Sequence, residues 1–398
     1  VISVDVSSFE EGSPYVEVLN DVIEKYRADF PNTQIELKEE GQSDIVKVEG
    51  SQGGAQGLMD LSEYADFWYG EGTLAGEGSF AMHFMGGDGV FAVPVEMEQP
   101  VLYYRSDWFD KYNSDKTTAA EKVRVETWTR FLEIRQKLSD KGRLAIGREM
   151  MEDCFNSVLW SVTGNWASAS APYYSNREEG TTLFIHERGP KAMETFGMVM
   201  DSAIKDGKIS NEEAVDAFVN GEAGMLIAMG SAAGRLKAEM PQGSWEATGL
   251  PKGDIGQGVS PVRSWWGFGI SDETKEPEKT AHFLCYLTNA DNNTHMAAVC
   301  GSMPLYKESV NMEPGLLESD RGPEMELLSQ ADYRYAGAPY FMFPQAEESI
   351  VEDELWEFLD GKLSVTQALE TLDEKFKTAY REWVDSGKEV PWLEVEED

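Results

Sequence analysis

The stretch VISVDVSSFEEGSPYVEVLNDVIEKYRADFPNTQIELKE, residues 1–39, decides the fold class. Its opening "VISVDV" has the β-branched content of a buried strand. Ser13-Pro14 then offers a helix N-cap and first helical position, after which Tyr15, Val18, Leu19, Val22, Ile23, Tyr26 and Phe30 recur at helical spacing. Pro31-Asn32 ends that pattern, and "TQIELKE" resumes an extended one. Strand, amphipathic helix and strand make a βαβ unit, whose crossover is right-handed in a parallel sheet. The chain therefore starts as an α/β protein.

The same alternation continues outward. Further β-prone runs stand at "DIVKV" (44–48), "FAVPV" (91–95), "VLYYR" (101–105), "AGMLIAM" (223–229) and "WGFGI" (266–270), with helical patterns between them. Ser210 with Glu213, and Ser364 with Gln367, have capping-box spacing, while Asn220-Gly221 and Gly361 are expected helix stops. A last helix should carry Val365, Leu369, Leu372, Phe376, Tyr380 and Trp383. No repeat of 20 to 50 residues is visible, and the acidic "EVEED" at 394–398 reads as a frayed tail.

At 398 residues the chain exceeds the roughly 250 to 300 at which single cores stop growing, so two lobes are expected. With 34 Lys and Arg against 72 Asp and Glu, the net charge of −38 works against nucleic acid, anionic membrane surfaces and polyanionic ligands. It leaves a neutral or cationic ligand. "GEGTLAGEG" (70–78) and "GGDG" (86–89) lack the G-K-[ST] of a phosphate-binding loop and read as turns, so no nucleotide cofactor is implied. The four histidines, His83, His186, His282 and His295, never form H-E-x-x-H, and no metal site is indicated. Cys154, Cys285 and Cys300 form no C-x-x-C, and a pairing of Cys285 with Cys300 stays open. The chain opens at Val1 without a basic and apolar leader, as expected once an export signal has been removed.

Four ordered blocks carry a family resemblance: "FAVPVEMEQPVLYYRSDWFDKY" (91–112), "ETWTRFLEIRQKL" (126–138), "AVDAFVNGEAGMLIAMGSAAGRL" (214–236) and "VRSWWGFGISDETKEPEKTAHFLCYLTN" (262–289). "GSMPLYKES" (301–309) and "FLDGKLSVTQALETLDEKF" (358–376) extend it over nearly the whole chain. In this order they resemble the family 1 extracellular solute-binding proteins of carbohydrate ABC importers. Arg105-Ser106 replaces the family's Asn-Lys pair, and "EEGQSDIV" (39–46) leaves a short loop where relatives place a helix. In the second block Thr127 is a credible N-cap, with Trp128, Phe131 and Leu132 facing inward.

The resemblance implies a two-lobed periplasmic-binding-protein type II fold, with a ligand cleft between the lobes and a hinge of crossing strands. One lobe is expected from residues 1–98 with 268–310, the other from 99–267 with 311–398. It implies no enzyme and no cofactor. The expected partners are a carbohydrate, an oligosaccharide first, and the permease subunits of an ABC transporter, with the protein monomeric. It would work on the extracellular face of the membrane, lipid-anchored in a Gram-positive bacterium, or in a periplasm.

A sugar presents hydroxyls at its rim and C–H faces above and below, so its site needs aromatic plates with carboxylates or amides. By resemblance Glu98, six residues before Tyr104, matches the family's hinge glutamate that contacts sugar. Trp265 and Trp266 stand where relatives bring an aromatic to the cleft, Trp266 being the favoured one. Glu49, Ser51 and Gln52 fall on a cleft-facing loop; Asn156, Trp160 and Trp166 belong to a second-lobe segment that lines the cleft in relatives, and Arg263 adjoins the returning strand. Asp44, by contrast, reads as structural. Gly230-Ser231-Ala232 occupies the place of a sugar-stacking tryptophan found in relatives, so that contact cannot be carried over. Two alternatives remain open: a glycoside hydrolase, which also pairs carboxylates with aromatic platforms, and a binding protein for a non-sugar metabolite.

Overall fold

The computed structural model describes residues 1–10, 12–49, 57–64, 67, 90–164, 174–176, 181–254, 258–262, 264–306, 308–322, 333–337 and 351–385. Its strands are β1 (Ile2–Asp5), β2 (Ile35–Lys38), β3 (Ile45–Glu49), β4 (Val93–Glu98), β5 (Pro100–Tyr104), β6 (Leu144–Ile146), β7 (Tyr174–Asn176), β8 (Thr181–Thr182), β9 (Met225–Met229), β10 (Glu246–Thr248), β11 (Gly258–Val262), β12 (Ser264–Ile270) and β13 (Tyr333–Gly337). A five-stranded sheet runs β2-β1-β3-β12-β4 and a four-stranded sheet runs β10-β5-β9-β6. The pairs β7–β8 and β11–β13 stand apart.

The opening βαβ unit forms as expected. β1 and β2 pair in parallel, Ile2 opposite Ile35, and helix Pro14–Asp29 between them buries Val18, Leu19, Val22, Ile23 and Tyr26. Ser13 caps it, its Oγ accepting from the Tyr15 N–H at 3.4 Å. Asp44 has the structural role read for it: it accepts from the Ser3 N–H at 2.9 Å, the Ser3 hydroxyl at 2.8 Å and the Thr274 hydroxyl at 2.7 Å, tying β1, β3 and the end of β12 together. Partial burial pushes the Asp44 carboxyl up, but these donors outweigh it and hold the group below its ordinary range.

The second sheet is buried on both faces. Along its strands Leu102, Leu144, Ile146, Met225 and Ile227 enter one core with Trp128, Phe131 and Phe376. Their alternates Val101, Tyr103, Ala145, Leu226 and Ala228 enter another with Phe218 and Leu236. That is the two-residue alternation of a sheet covered by helices on each side, and it explains why the runs at 101–105 and 223–229 read as continuously apolar. The helix punctuation also holds. Ser210 and Glu213 form both bonds of a capping box, Ser364 and Gln367 do the same, and Gly221 and Gly361 follow their helices with φ of +76° and +72°. All three cysteines are free thiols, so Cys285 and Cys300 are not paired.

Register fixes where the two sheets meet. β4 ends at Glu98, β5 begins at Pro100, and Gln99 is the single residue between them. β12 is antiparallel to both β3 and β4, so its start lies at the edge where β3 and β4 end. β5 begins opposite Met229, the end of β9, and β6 runs parallel to β9. Both sheets thus present strand ends at the crossing, the place where open α/β sheets hold ligands.

Candidate functional site

At the crossing edge of the first sheet, Trp266 on β12 is paired with Glu96 on β4 and with Glu49 on β3. The pairing is tight: a Cβ on the neighbouring Gly267 would come within 2.0 Å of the Val93 carbonyl, so only glycine fits beside the tryptophan. The register shifts between Trp266 and Gly267, leaving β4 one extra residue there. Bulges of this kind re-aim side chains.

Glu96 is the hub. One carboxylate oxygen accepts from the Tyr15 hydroxyl at 2.5 Å and from the Trp266 indole N–H at 2.9 Å. The other lies 3.6 Å from the guanidinium of Arg321, which is only 7% exposed. Burial first, and then the neighbouring Glu96 charge, push the Tyr15 hydroxyl well above the ordinary tyrosine range, so it stays a neutral donor.

Three aromatic rings share this corner. A turn after β1, with the Phe9 N–H bonded to the Val6 carbonyl at 3.0 Å, sets Phe9 against Tyr15 with centroids 5.5 Å apart. Trp266 meets both edge-on, at 5.5 Å from Phe9 and 5.1 Å from Tyr15. The Lys47 ammonium, on β3, sits 5.2 Å from the Phe9 ring and 5.3 Å from that of Trp266. Phe9, Tyr15, Lys47, Glu96 and Trp266 are all half-buried. The result is a partly open aromatic surface whose central ring is held at its N–H rim, next to a carboxylate and an ammonium.

Of the residues singled out from sequence, Trp266 lies in this corner. Glu98 is half-buried on the same strand as Glu96 and pairs with Ser264, two residues further toward the crossing. The backbones of Glu49 and Trp265 lie at the same edge, Trp265 opposite Met97, while their side chains fall outside the described residues. Ser51, Gln52, Trp166 and Arg263 also lie outside the described residues.

Asn156 and Trp160, expected on a cleft-lining segment, are both buried. Helix Met151–Thr163 is buried at every position except Val162, and Trp160 belongs to the second-sheet core, with 0% exposure against 1% for Asn156. Both are interior because the helix is covered on every side, its polar residues Glu152, Asp153, Asn156 and Ser157 buried along with its apolar ones.

Phe9, Tyr15, Lys47, Glu96 and Arg321 were not anticipated as site residues. In the sequence Tyr15 is one more apolar position of a helical pattern, and Glu96 lies only two residues before Glu98. The two-residue spacing, which puts Glu96 and Glu98 on one face of a strand, was the available signal. Nothing near Arg321 in the sequence marks it.

The family described as "Bacterial extracellular solute-binding protein" matches residues 21–321. No curated protein sequence matches the chain. Among solved structures, the sugar-binding protein MalE from Xanthomonas citri aligns over 97% of this chain and 99% of its own, at 13% identity and a TM-score of 0.70. The cyclic α-maltosyl-1,6-maltose binding protein from Arthrobacter globiformis aligns over 96% and 99%, at 14% identity and 0.69. UgpB from Mycobacterium tuberculosis, solved with glycerophosphocholine, aligns over 96% and 99%, at 16% identity and 0.63. At these identities the likeness is one of fold.

Proposed function

The chain belongs to the bacterial extracellular solute-binding proteins, and on that premise we propose that it captures a neutral oligosaccharide at the lobe crossing and delivers it to an ABC importer. The observation that carries this reading is the Trp266 ring, held by Glu96 at its N–H and left half-buried at the edge where the two sheets meet. Such a ring stacks on the C–H face of a sugar, while nearby carboxylates bond its hydroxyls. The neighbours from Xanthomonas citri and Arthrobacter globiformis, named for sugar and maltosyl-maltose binding, support the same ligand class.

The lobes we propose are 1–98 with 268–310, and 99–267 with 311–398, with the return to the first lobe moved earlier to Ser264, where β12 joins the first sheet. Phe268 and Ile270 lie in the core of the first sheet, and Leu355, Leu372 and Phe376 in that of the second, in keeping with this division. Ligand binding would then favour the closed arrangement through contacts made to both lobes at once. Work as a monomer on the extracellular face of the membrane, lipid-anchored or in a periplasm, follows from the same reading.

The glycerophosphocholine complex of UgpB raises a second ligand class, a zwitterion with a quaternary ammonium. Here the Lys47 ammonium already lies over the Phe9 and Trp266 rings, where a ligand cation would stack, and it opposes a second positive charge. A hydrolase would need two carboxyl groups at a set separation, one of them able to protonate the leaving group. Glu96, committed to a phenol, an indole and a guanidinium, is a poor candidate for that work.

A thermal-shift screen over neutral di- to tetrasaccharides, with glycerophosphocholine and choline alongside, tests the assignment. A sugar at about 100 times its dissociation constant should add roughly 2.7 kcal/mol to stability, a shift of several degrees. A shift with glycerophosphocholine and none with any sugar would replace the carbohydrate reading.

A further inference from the structure

Gln99 is the one residue between the last residue of β4 in the first sheet and the first residue of β5 in the second. Its backbone is fixed: the Gly230 N–H donates to the Gln99 carbonyl at 3.1 Å, and the Tyr103 hydroxyl donates to the Gly230 carbonyl at 2.8 Å. Pro100 follows, restricting Gln99 to extended backbone. The side chain is 2% exposed, yet neither its Oε1 nor its Nε2 has a hydrogen-bond partner among the described residues.

A buried amide with neither acceptor nor donors satisfied is destabilising, because both atoms have given up solvent and gained nothing. An apolar side chain of the same length would serve packing better. The amide also stands at the segment that must absorb any rotation of one sheet against the other, so such a rotation changes what covers it. A sugar hydroxyl is donor and acceptor at once, and adjacent hydroxyls satisfy both ends of an amide.

We propose that Gln99 reads the ligand at the crossing: rotation about the hinge brings its amide against hydroxyls of the bound sugar, which supply the partners it lacks among the described residues. This rests on the oligosaccharide reading above. The amide then opposes the arrangement in which it is unpaired and favours the bound one, linking recognition to lobe movement. It is a specificity residue as well, because a ligand without hydroxyls leaves it unsatisfied.

The test combines thermal unfolding without sugar and calorimetric titration with the tightest-binding member of a panel of neutral di- to tetrasaccharides, on the full chain and on Gln99→Met and Gln99→Asn. Gln99→Met should raise the melting temperature without sugar by a few degrees and weaken affinity at least about tenfold. Gln99→Asn, which keeps donor and acceptor, should stay within a few-fold of the parent affinity and gain no stability. That opposed pair of changes is not expected of a packing residue, whose loss lowers stability and affinity together. Unchanged affinity in Gln99→Met overturns the proposal whether or not stability rises, and parallel losses of stability and affinity in both variants overturn it by making Gln99 structural. If Gln99→Met fails to fold, Gln99→Glu, which keeps the shape and removes the donors, takes its place with the same expected loss of affinity. A parent chain that binds no member of the panel overturns the carbohydrate reading and this proposal together; one that binds sugar as tightly as Gln99→Met does overturns this proposal alone.

Discussion

In sequence Trp160 and Trp266 are similar candidates, each an aromatic in a segment that reaches the cleft in relatives, and the fold treats them oppositely. Trp160 sits on a helix buried on nearly every side and has no exposed surface. Trp266 sits at the end of a sheet, where one side of the ring packs on Phe268 and the N–H is held by Glu96. The difference lies in how each neighbourhood ends. A core helix surrounds its aromatic with Phe and Met residues, whereas a sheet edge leaves a ring whose packing is incomplete and whose orientation is fixed by a polar partner. Partial burial with a held rim is the feature on which the proposal of Trp266 as a ligand plate rests.

The contrast can be broken by substitution. The largest expected effect is Trp160→Ala, which should cost roughly 3 to 5 kcal/mol of stability by opening a cavity in the second-sheet core, as read in denaturant unfolding. If the variant instead keeps its stability and loses sugar affinity, the second-lobe helix lines the site after all. Next is Glu96→Gln, which keeps the shape but weakens the contacts to Tyr15 and Trp266 and removes the Glu96 charge from beside Arg321. A loss of about 1 to 3 kcal/mol is expected, divided between sugar affinity and the stability of the first lobe. No change in either titration or melting would remove Glu96 from the centre of the site.

A smaller effect belongs to Asp44, far from the ligand in role. Its folded carboxyl lies below the ordinary aspartate range, so its contribution to stability is fully present above the unfolded value near 3.9 and fades as pH falls through the lower folded value. Asp44→Asn should therefore cost about 1 kcal/mol at neutral pH and flatten part of the acid limb of the stability curve, with affinity unaffected. An unchanged acid limb in the variant would show that other carboxylates carry the pH dependence.

How much of this was legible in the sequence follows from the range of each signal. Local patterns were sufficient for the opening βαβ unit, the Ser210 and Ser364 capping boxes and the Gly221 and Gly361 stops, because periodicity and capping act within a few residues. The apolar run at 91–95 starts two residues before β4, Val93–Glu98, since apolar content marks a buried strand better than the hydrogen bonds that end it. The site was legible in part. Trp266 is marked by its place in the returning strand, but its hydrogen-bond partner is Glu96 on a strand 170 residues away in sequence, and a one-residue register shift decides that it is Glu96 and not Val95 that stands opposite it. Phe9, Lys47 and Arg321 join through tertiary contacts that no local pattern encodes.

The central claim is that the half-buried Trp266 ring is a ligand plate and not merely part of the first core. Calorimetric titration of the parent chain and of Trp266→Ala, using the tightest-binding neutral oligosaccharide, tests it most directly when paired with melting of each chain without sugar. The account predicts an affinity loss of more than about 1 kcal/mol, several-fold or greater, as stacking and apolar burial are lost together, with a smaller change in stability. Unaltered affinity beside a melting temperature lowered by many degrees would contradict it, and would make Trp266 a core residue like Trp160.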